Sequence, residues 1–152
     1  MADEFGLETY LYDHIPLSKH LGVTVDHASV ETVRLVAPLA PNLNHWKSGF
    51  GGSISAVAIL AGWSILWCRL HGRAGGHNIV IQKNTIDYVA PVLGDFTAVC
   101  AAPLASVWQR FEQTFNQRGR ARIDLDVQVR VGDRLTASLA GRFVALRADD
   151  GP

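Results

Sequence analysis

Two cysteines are all that 152 residues contain, Cys68 and Cys100, and both sit inside apolar runs. Two thiols cannot build a disulfide framework, so buried, reduced cysteines are expected. Net charge is missing as well, because 14 Lys and Arg balance 14 Asp and Glu. A chain built to grip nucleic acid needs surplus cations against the phosphates, and that class is set aside. Charged residues make up only 18% of the chain against 48% hydrophobic, which excludes a disordered composition and supplies a sizeable core. The opening Met1-Ala2-Asp3-Glu4-Phe5 is acidic and has no apolar run, so no secretory leader is expected. With reduced thiols, this points to the cytoplasm. Neither an internal repeat nor a linker is present, and one domain over residues 1–152 is expected.

Two local absences matter more. No charged side chain lies between Lys47 and Arg69, a stretch long enough to suggest a membrane span. Its first part, Ser48, Gly49, Gly51, Gly52 and Ser53, is small and polar, however. The continuous apolar part, from about Ile54 to Cys68, falls short of the roughly 20 residues a span needs. A helix apolar on every face that does not cross a membrane must be wrapped by its own fold. The second absence is acidity: no Asp or Glu occurs between Glu31 and Asp87.

What is present reads as one helix among strands. Residues 5–19 have helical spacing (Leu7, Tyr10, Leu11, His14, Ile15) and end near Pro16. From Leu21 to Ala37 alternation predicts two strands, with a turn at His27-Ala28-Ser29. Asn42 to Ser48 is loop, and a buried helix runs from about Gly51 to Leu70 until the glycines after His71 stop it. Ile79 to Val89 and Asp95 to Ala102 read as strands, each closed by a proline, and Ser106 to Gln117 as a short surface helix. Ile123, Leu125, Val127, Val129 and Val131 alternate with polar residues, and Leu135 to Leu146 returns after Gly132-Asp133 as a hairpin partner. The expected class is α+β, an antiparallel sheet wrapped around one long buried helix. Such a sheet leaves edges that invite a second chain, and Ile79 to Val89 is the edge candidate.

That order, with Phe50-Gly51-Gly52-Ser53 opening the long helix, resembles the hotdog fold of acyl-thioester enzymes. Pro41-Asn42-Leu43-Asn44-His45, then Ala61-Gly62-Trp63, then Ile86-Asp87-Tyr88 before Pro91, narrow the likeness. Over about Leu11 to Arg147 the chain resembles the putative thioesterase family typified by the YiiD C-terminal domain. The resemblance implies hydrolysis of acyl-CoA or acyl-carrier-protein thioesters by a homodimer, sometimes a tetramer, with acyl sites at the subunit interface. Many hotdog thioesterases carry His just before the paired glycines, where this chain has Phe50. An Asn seven residues before the first glycine often holds the attacking water, and Asn44 matches it. A carboxylate two turns into the helix is replaced by Ile59, and a hydroxyl before the proline of the facing strand by Ala90. The usual catalytic set is largely missing. A non-catalytic acyl-thioester binding module and a structural dimer module are the alternatives.

The residues carry their own chemistry. A thioester carbonyl becomes an oxyanion when attacked, and a helix start offers unpaired N–H groups. Gly51 and Gly52 let a carbonyl approach that backbone, or else merely permit tight packing. For a base there are two candidates. Asp87 is one, or else a solvent-facing strand residue. His45 is the other, a residue type that changes charge near neutral pH, or else a ring packed on Trp46. Ser53 and Ser55 can orient a substrate or water, or cap the helix. Residues 1–31 hold six acids and one Lys, whereas residues 101–147 hold eight Arg and four acids. Arg118 and Arg120 in that basic half suit the phosphates of coenzyme A or phosphopantetheine, or pair with Asp124, Asp126 and Asp133. No His or Cys spacing indicates a metal site, and nothing calls for a cofactor.

Overall fold

Pro16 sets how the chain begins. In the structure, a computed structural model that describes residues 3–150, the expected single N-terminal helix is two. Helix α1 spans Leu7–His14, and α2, Leu17–His20, restarts directly behind the proline. A proline has no N–H and cannot continue a helix, yet it is well tolerated at the head of one. Asp3 accepts the amides of Leu7 and Glu8 at 2.9 and 3.1 Å. Met1 and Ala2, part of the stretch read as lacking a leader, lie outside the described residues.

A hairpin follows, β1 (Thr24–Ala28) and β2 (Thr32–Ala37), then a short 3-10 turn, Ala40–Asn42. Helix α3 occupies Gly51–Leu70, the bounds expected from the uncharged run. Strands β3 (His77–Tyr88) and β4 (Phe96–Ala101) come next, then α4 (Ala105–Arg118). Gly119, in the left-handed region at φ 70, turns α4 directly into β5 (Arg120–Val131), and β6 (Arg134–Arg147) closes the sheet.

All six strands form one sheet in the order β1-β2-β4-β5-β6-β3, and every neighbouring pair is antiparallel. Strand β3 does not pair with its successor β4. It crosses over to β6 and becomes a free edge, as the edge reading of Ile79 to Val89 requires. The inner face of the sheet wraps α3. Ile65, Leu66 and Leu70 from the helix and Leu35, Phe96 and Phe143 from the sheet are fully buried, each worth on the order of 2 kcal/mol. Although α3 is long and apolar enough to cross a bilayer, most of it is enclosed by the fold. Burial pushes the thiols of Cys68 and Cys100 up to about 12, with Asp3 and Asp126 adding to the effect, so both are inert near neutrality.

One irregularity governs the edge strand. Ile79 pairs with Ala145 and Ile81 with Phe143, both on the core side, but a bulge between Ile81 and Lys83 then shifts the register. Beyond it Ile86 pairs with Leu139 and Tyr88 with Ala137, which are core-facing, so even-numbered residues now point inward.

Candidate active site

Among the described residues, three backbone amides at the start of α3 have no acceptor. Phe50 is the N-cap and provides no side-chain cap, and the first helical bond runs from Ile54 N–H to the Phe50 carbonyl at 3.1 Å. That leaves Gly51, Gly52 and Ser53 with free N–H groups at the positive end of a 20-residue helix. They border a cavity of about 500 Å³ lined by Gly49, Gly51, Gly52, Ile54 and the segment Tyr88 to Val92.

The cavity is held open by close backbone approaches. The Gly49 amide donates to the Val92 carbonyl at 2.7 Å, and a Cβ on Gly49 would lie 2.7 Å from the Val92 Cβ. Tyr88 hydroxyl donates to the Gly51 carbonyl at 2.9 Å, while its ring would meet a Cβ on Gly51 only at ordinary contact, 3.4 Å. Gly52 is different. A Cβ there would be 2.5 Å from Phe50 Cε2, so this glycine lets the half-exposed Phe50 ring lie against the helix start. Both readings of the glycine pair therefore have a physical counterpart: open N–H groups, and an aromatic ring packed where a side chain is missing.

Two asparagines build the loop that enters the helix. Asn42, buried, donates through Nδ2 to the carbonyls of Leu21 and Pro38 at 2.8 Å each, and its own carbonyl accepts the Phe50 amide at 2.7 Å. Asn44 holds the turn: Oδ1 accepts the amides of Trp46 (2.9 Å) and Ser48 (3.0 Å), and Nδ2 donates to Ser48 Oγ at 2.8 Å. Within the turn Lys47 takes a left-handed conformation, φ 60, that residues with a side chain rarely adopt. The Asn44 side chain is thus engaged with the loop itself.

The other candidates scatter. His45 stands exposed on the same loop with its ring tilted on Trp46 at 5.8 Å, the packing foreseen as its alternative. Ser53 and Ser55 are half-buried and do not cap the helix. Asp87 is exposed and, because of the bulge, points to the outer face of the sheet, opposite its neighbour Tyr88. Arg120 pairs with Leu146, whose other neighbour Asn78 is at the far end of β3, whereas Tyr88 shares a row with Ala137 and Val129. Along β5 that puts Arg120 roughly 30 Å from the glycine end at about 3.4 Å per residue. Arg118 and Arg120 are exposed and make no ion pair among the described residues. Of the three acids proposed as partners only Asp124 is paired, with Arg142 at 2.8 Å, which holds its carboxyl below the usual range. Among the described residues no three His, Cys, Asp or Glu side chains converge as a metal site would need.

Tyr88 and Asn42 carried no functional role in the sequence reading, where they stand only within the motifs Ile86-Asp87-Tyr88 and Pro41-Asn42-Leu43-Asn44-His45.

Known proteins share this fold. Residues 5–147 match the family described as putative thioesterase (yiiD_Cterm). A protein of unknown function from Chlorobaculum tepidum superposes with a TM-score of 0.85 at 27% identity, over 93% of this chain and 92% of its own. A putative thioesterase from Shewanella oneidensis gives 0.80 at 27% identity, over 92% and 94%. A Haemophilus influenzae thioesterase at 14% identity shares the fold, with a TM-score of 0.72 over 93% and 88%. The six-stranded antiparallel sheet around a long buried helix is the hotdog architecture of these structures.

Proposed function

The chain belongs to the putative thioesterase family typified by the YiiD C-terminal domain, and on that footing we propose that it hydrolyses acyl thioesters of coenzyme A or of an acyl carrier protein. The observation that carries the reading is the set of free amides at Gly51, Gly52 and Ser53 opening onto a 500 Å³ cavity. A thioester carbonyl oxygen seated there gains hydrogen bonds as it becomes an oxyanion, the arrangement that lowers acyl-transfer barriers most. Water adds to the carbonyl carbon, the C–S bond breaks, and the thiol leaves with a proton. Phe50, half-exposed over Gly52, swings aside to admit the group.

The proton acceptor comes from His45 of the entry loop or from Asp87. Asp87, on the outer face of an edge strand, reaches such a site only on a second copy of the chain. Pairing of β3 edges in a homodimer covers the exposed Val80, Tyr88 and Val89 but keeps Asp87 on the outer face of the joined sheet, so the copy it reaches is one stacked on that face in a tetramer. Asn44 acts in this scheme as a positioning residue that shapes the loop. Arg118 and Arg120 meet the phosphates of the carrier across the assembly, not within one chain.

A thiol-release assay over short, medium, long and aromatic acyl-CoAs tests the reading. Release that survives repurification, and that Gly51→Val abolishes by filling the space in front of the amides, is the expected result. A second reading, acyl-thioester binding without hydrolysis, is favoured by the Phe50 ring over Gly52 and by Ile59 in place of a carboxylate. Saturable binding with no release establishes it instead, and neither binding nor release leaves a structural dimer module.

A further inference from the structure

We infer that the acyl group is a straight, saturated chain of roughly eight to ten carbons, laid along α3 from Gly52 and stopped by Trp63. The inference rests on the thioester reading of the helix start and specifies what that site takes. Gly52, Ala56, Ile59 and Trp63 follow one another on a single face of α3, the face the sheet leaves partly open. One turn beyond Gly52 this face borders a second cavity, about 280 Å³, lined by Ile15, Leu17, Ala56, Ile59, Leu60 and Trp63. None of those side chains but Trp63 has a polar atom, and its indole N–H is already donated to the Ile79 carbonyl at 2.9 Å. A cavity with no free hydrogen-bonding group holds ordered water poorly and an alkyl chain well. Ile59, where related enzymes place a carboxylate, keeps the face apolar along its length.

Trp63 is a rigid end wall. Besides the bond to Ile79, its ring stacks on Tyr10 at 6.0 Å with an interplanar angle of 22°. From Gly52 to Trp63 the helix rises about 16 Å at 1.5 Å per residue. Helical side chains lean back over the preceding turn, so the indole takes up about 5 Å of that. The remaining 11 Å accommodates about nine carbons at roughly 1.25 Å each, the advance of a staggered chain of 1.5 Å bonds. The 280 Å³ cavity encloses the distal part of that path, from Ala56 to Trp63.

The test is a series of straight-chain acyl-CoAs from two to sixteen carbons, read by thiol release and, separately, by calorimetric binding, on the parent, Trp63→Ala, Trp63→Phe and Ile59→Trp. In the parent, affinity should rise roughly three- to fourfold per methylene and stop rising near nine carbons. Trp63→Ala should move the break out by about four carbons. The milder Trp63→Phe should move it less, and it serves if the alanine variant does not fold. Ile59→Trp should pull the optimum in to two to four carbons. A flat profile, or the same break in every protein, overturns the inference. So does an Ile59→Trp variant that loses its oligomer by light scattering without moving the break, since the face then belongs to a second copy of the chain. Should no length be hydrolysed, the hydrolase reading fails by itself, and the calorimetric series still decides where the chain ends.

Discussion

Gly62→Ala sets two known effects against each other in the middle of α3. Alanine is the better helix residue by about 1 kcal/mol, so on an open helix face the change would stabilise. Here the helix packs on Phe143, whose ring is fully buried beneath it. A Cβ on Gly62 would lie 2.6 Å from Phe143 Cζ and 2.8 Å from Cε2. The ring also lies close over its own strand, where a Cβ at Gly141 would be 2.9 Å from the same Cε2. Phe143 is therefore clasped between two glycines, one on the helix and one on β6, and β6 is itself held between β5 and β3. Overpacking of a filled core costs about 1–3 kcal/mol, and an approach of 2.6 Å to a fully buried ring belongs at the upper end. Packing wins, with a net loss of about 1–2 kcal/mol. For a chain of this length that corresponds to a fall in Tm of roughly 3–8 °C. The assay is thermal unfolding by circular dichroism at fixed protomer concentration, since any oligomer makes Tm concentration-dependent. Phe143→Leu in the Gly62→Ala background should recover part of the loss, with a coupling above about 0.5 kcal/mol in the double-mutant cycle. An unchanged or raised Tm for Gly62→Ala, or strict additivity in the cycle, refutes the reasoning.

Asn44→Ala should lower turnover about tenfold with little change in Tm, because it releases a half-exposed loop and not the core, whereas Asn44→Asp, which keeps the acceptor for Trp46 and Ser48, should restore part of the rate. His77 should make the fold sensitive to mild acid. Burial first, then the nearby His71 and Arg73, hold its imidazole below the ordinary value, so the folded state prefers the neutral ring. Its contribution to stability is complete above the unfolded value of about 6.5 and is lost as pH falls from there through the folded value. Urea midpoints between pH 7.5 and 5 should fall less in His77→Gln than in the parent, and parallel curves would show that His77 takes no part. Light scattering at micromolar concentration should give at least twice 16.5 kDa, and a monomer mass would rule out β3 pairing.

Much of the fold could be read from the chain because its strongest signals are local. An uncharged run opened by glycines and closed by glycines specifies α3 to the residue, and strict alternation from Ile123 to Val131 specifies β5 and its inward face. What escaped depends on contacts distant in sequence or on single insertions. The crossover of β3 to β6 is a matter of which partner is free. The hydrogen bonds that tie Asn44 into its own loop, and the 30 Å between Arg120 and the helix start, depend on side-chain direction and register, which residue type alone does not encode.

Asp87 shows how one inserted residue redirects a functional reading. Ile79 and Ile81 face the core, and plain alternation from them places every odd residue of the strand inward, Asp87 included. That would aim a carboxylate at α3 in a chain with no acid of its own between Glu31 and Asp87. The bulge at Gln82 adds one residue to the odd-even count, and the phase inverts. Tyr88, not Asp87, then points at the helix start, and its hydroxyl reaches the Gly51 carbonyl. The same inversion sends Lys83 outward into register with Arg142, leaving Thr85 and Asp87 beside Ala140 and Ser138 on the outer face. So the half of β3 that borders the cavity presents the Tyr88 hydroxyl inward and the Asp87 side chain outward. Among the described residues, a single chain therefore presents free amides at the helix start with no carboxylate beside them. On the proposed hydrolase reading, the proton acceptor is then His45 swinging in from the entry loop, or a carboxylate brought by another copy of the chain.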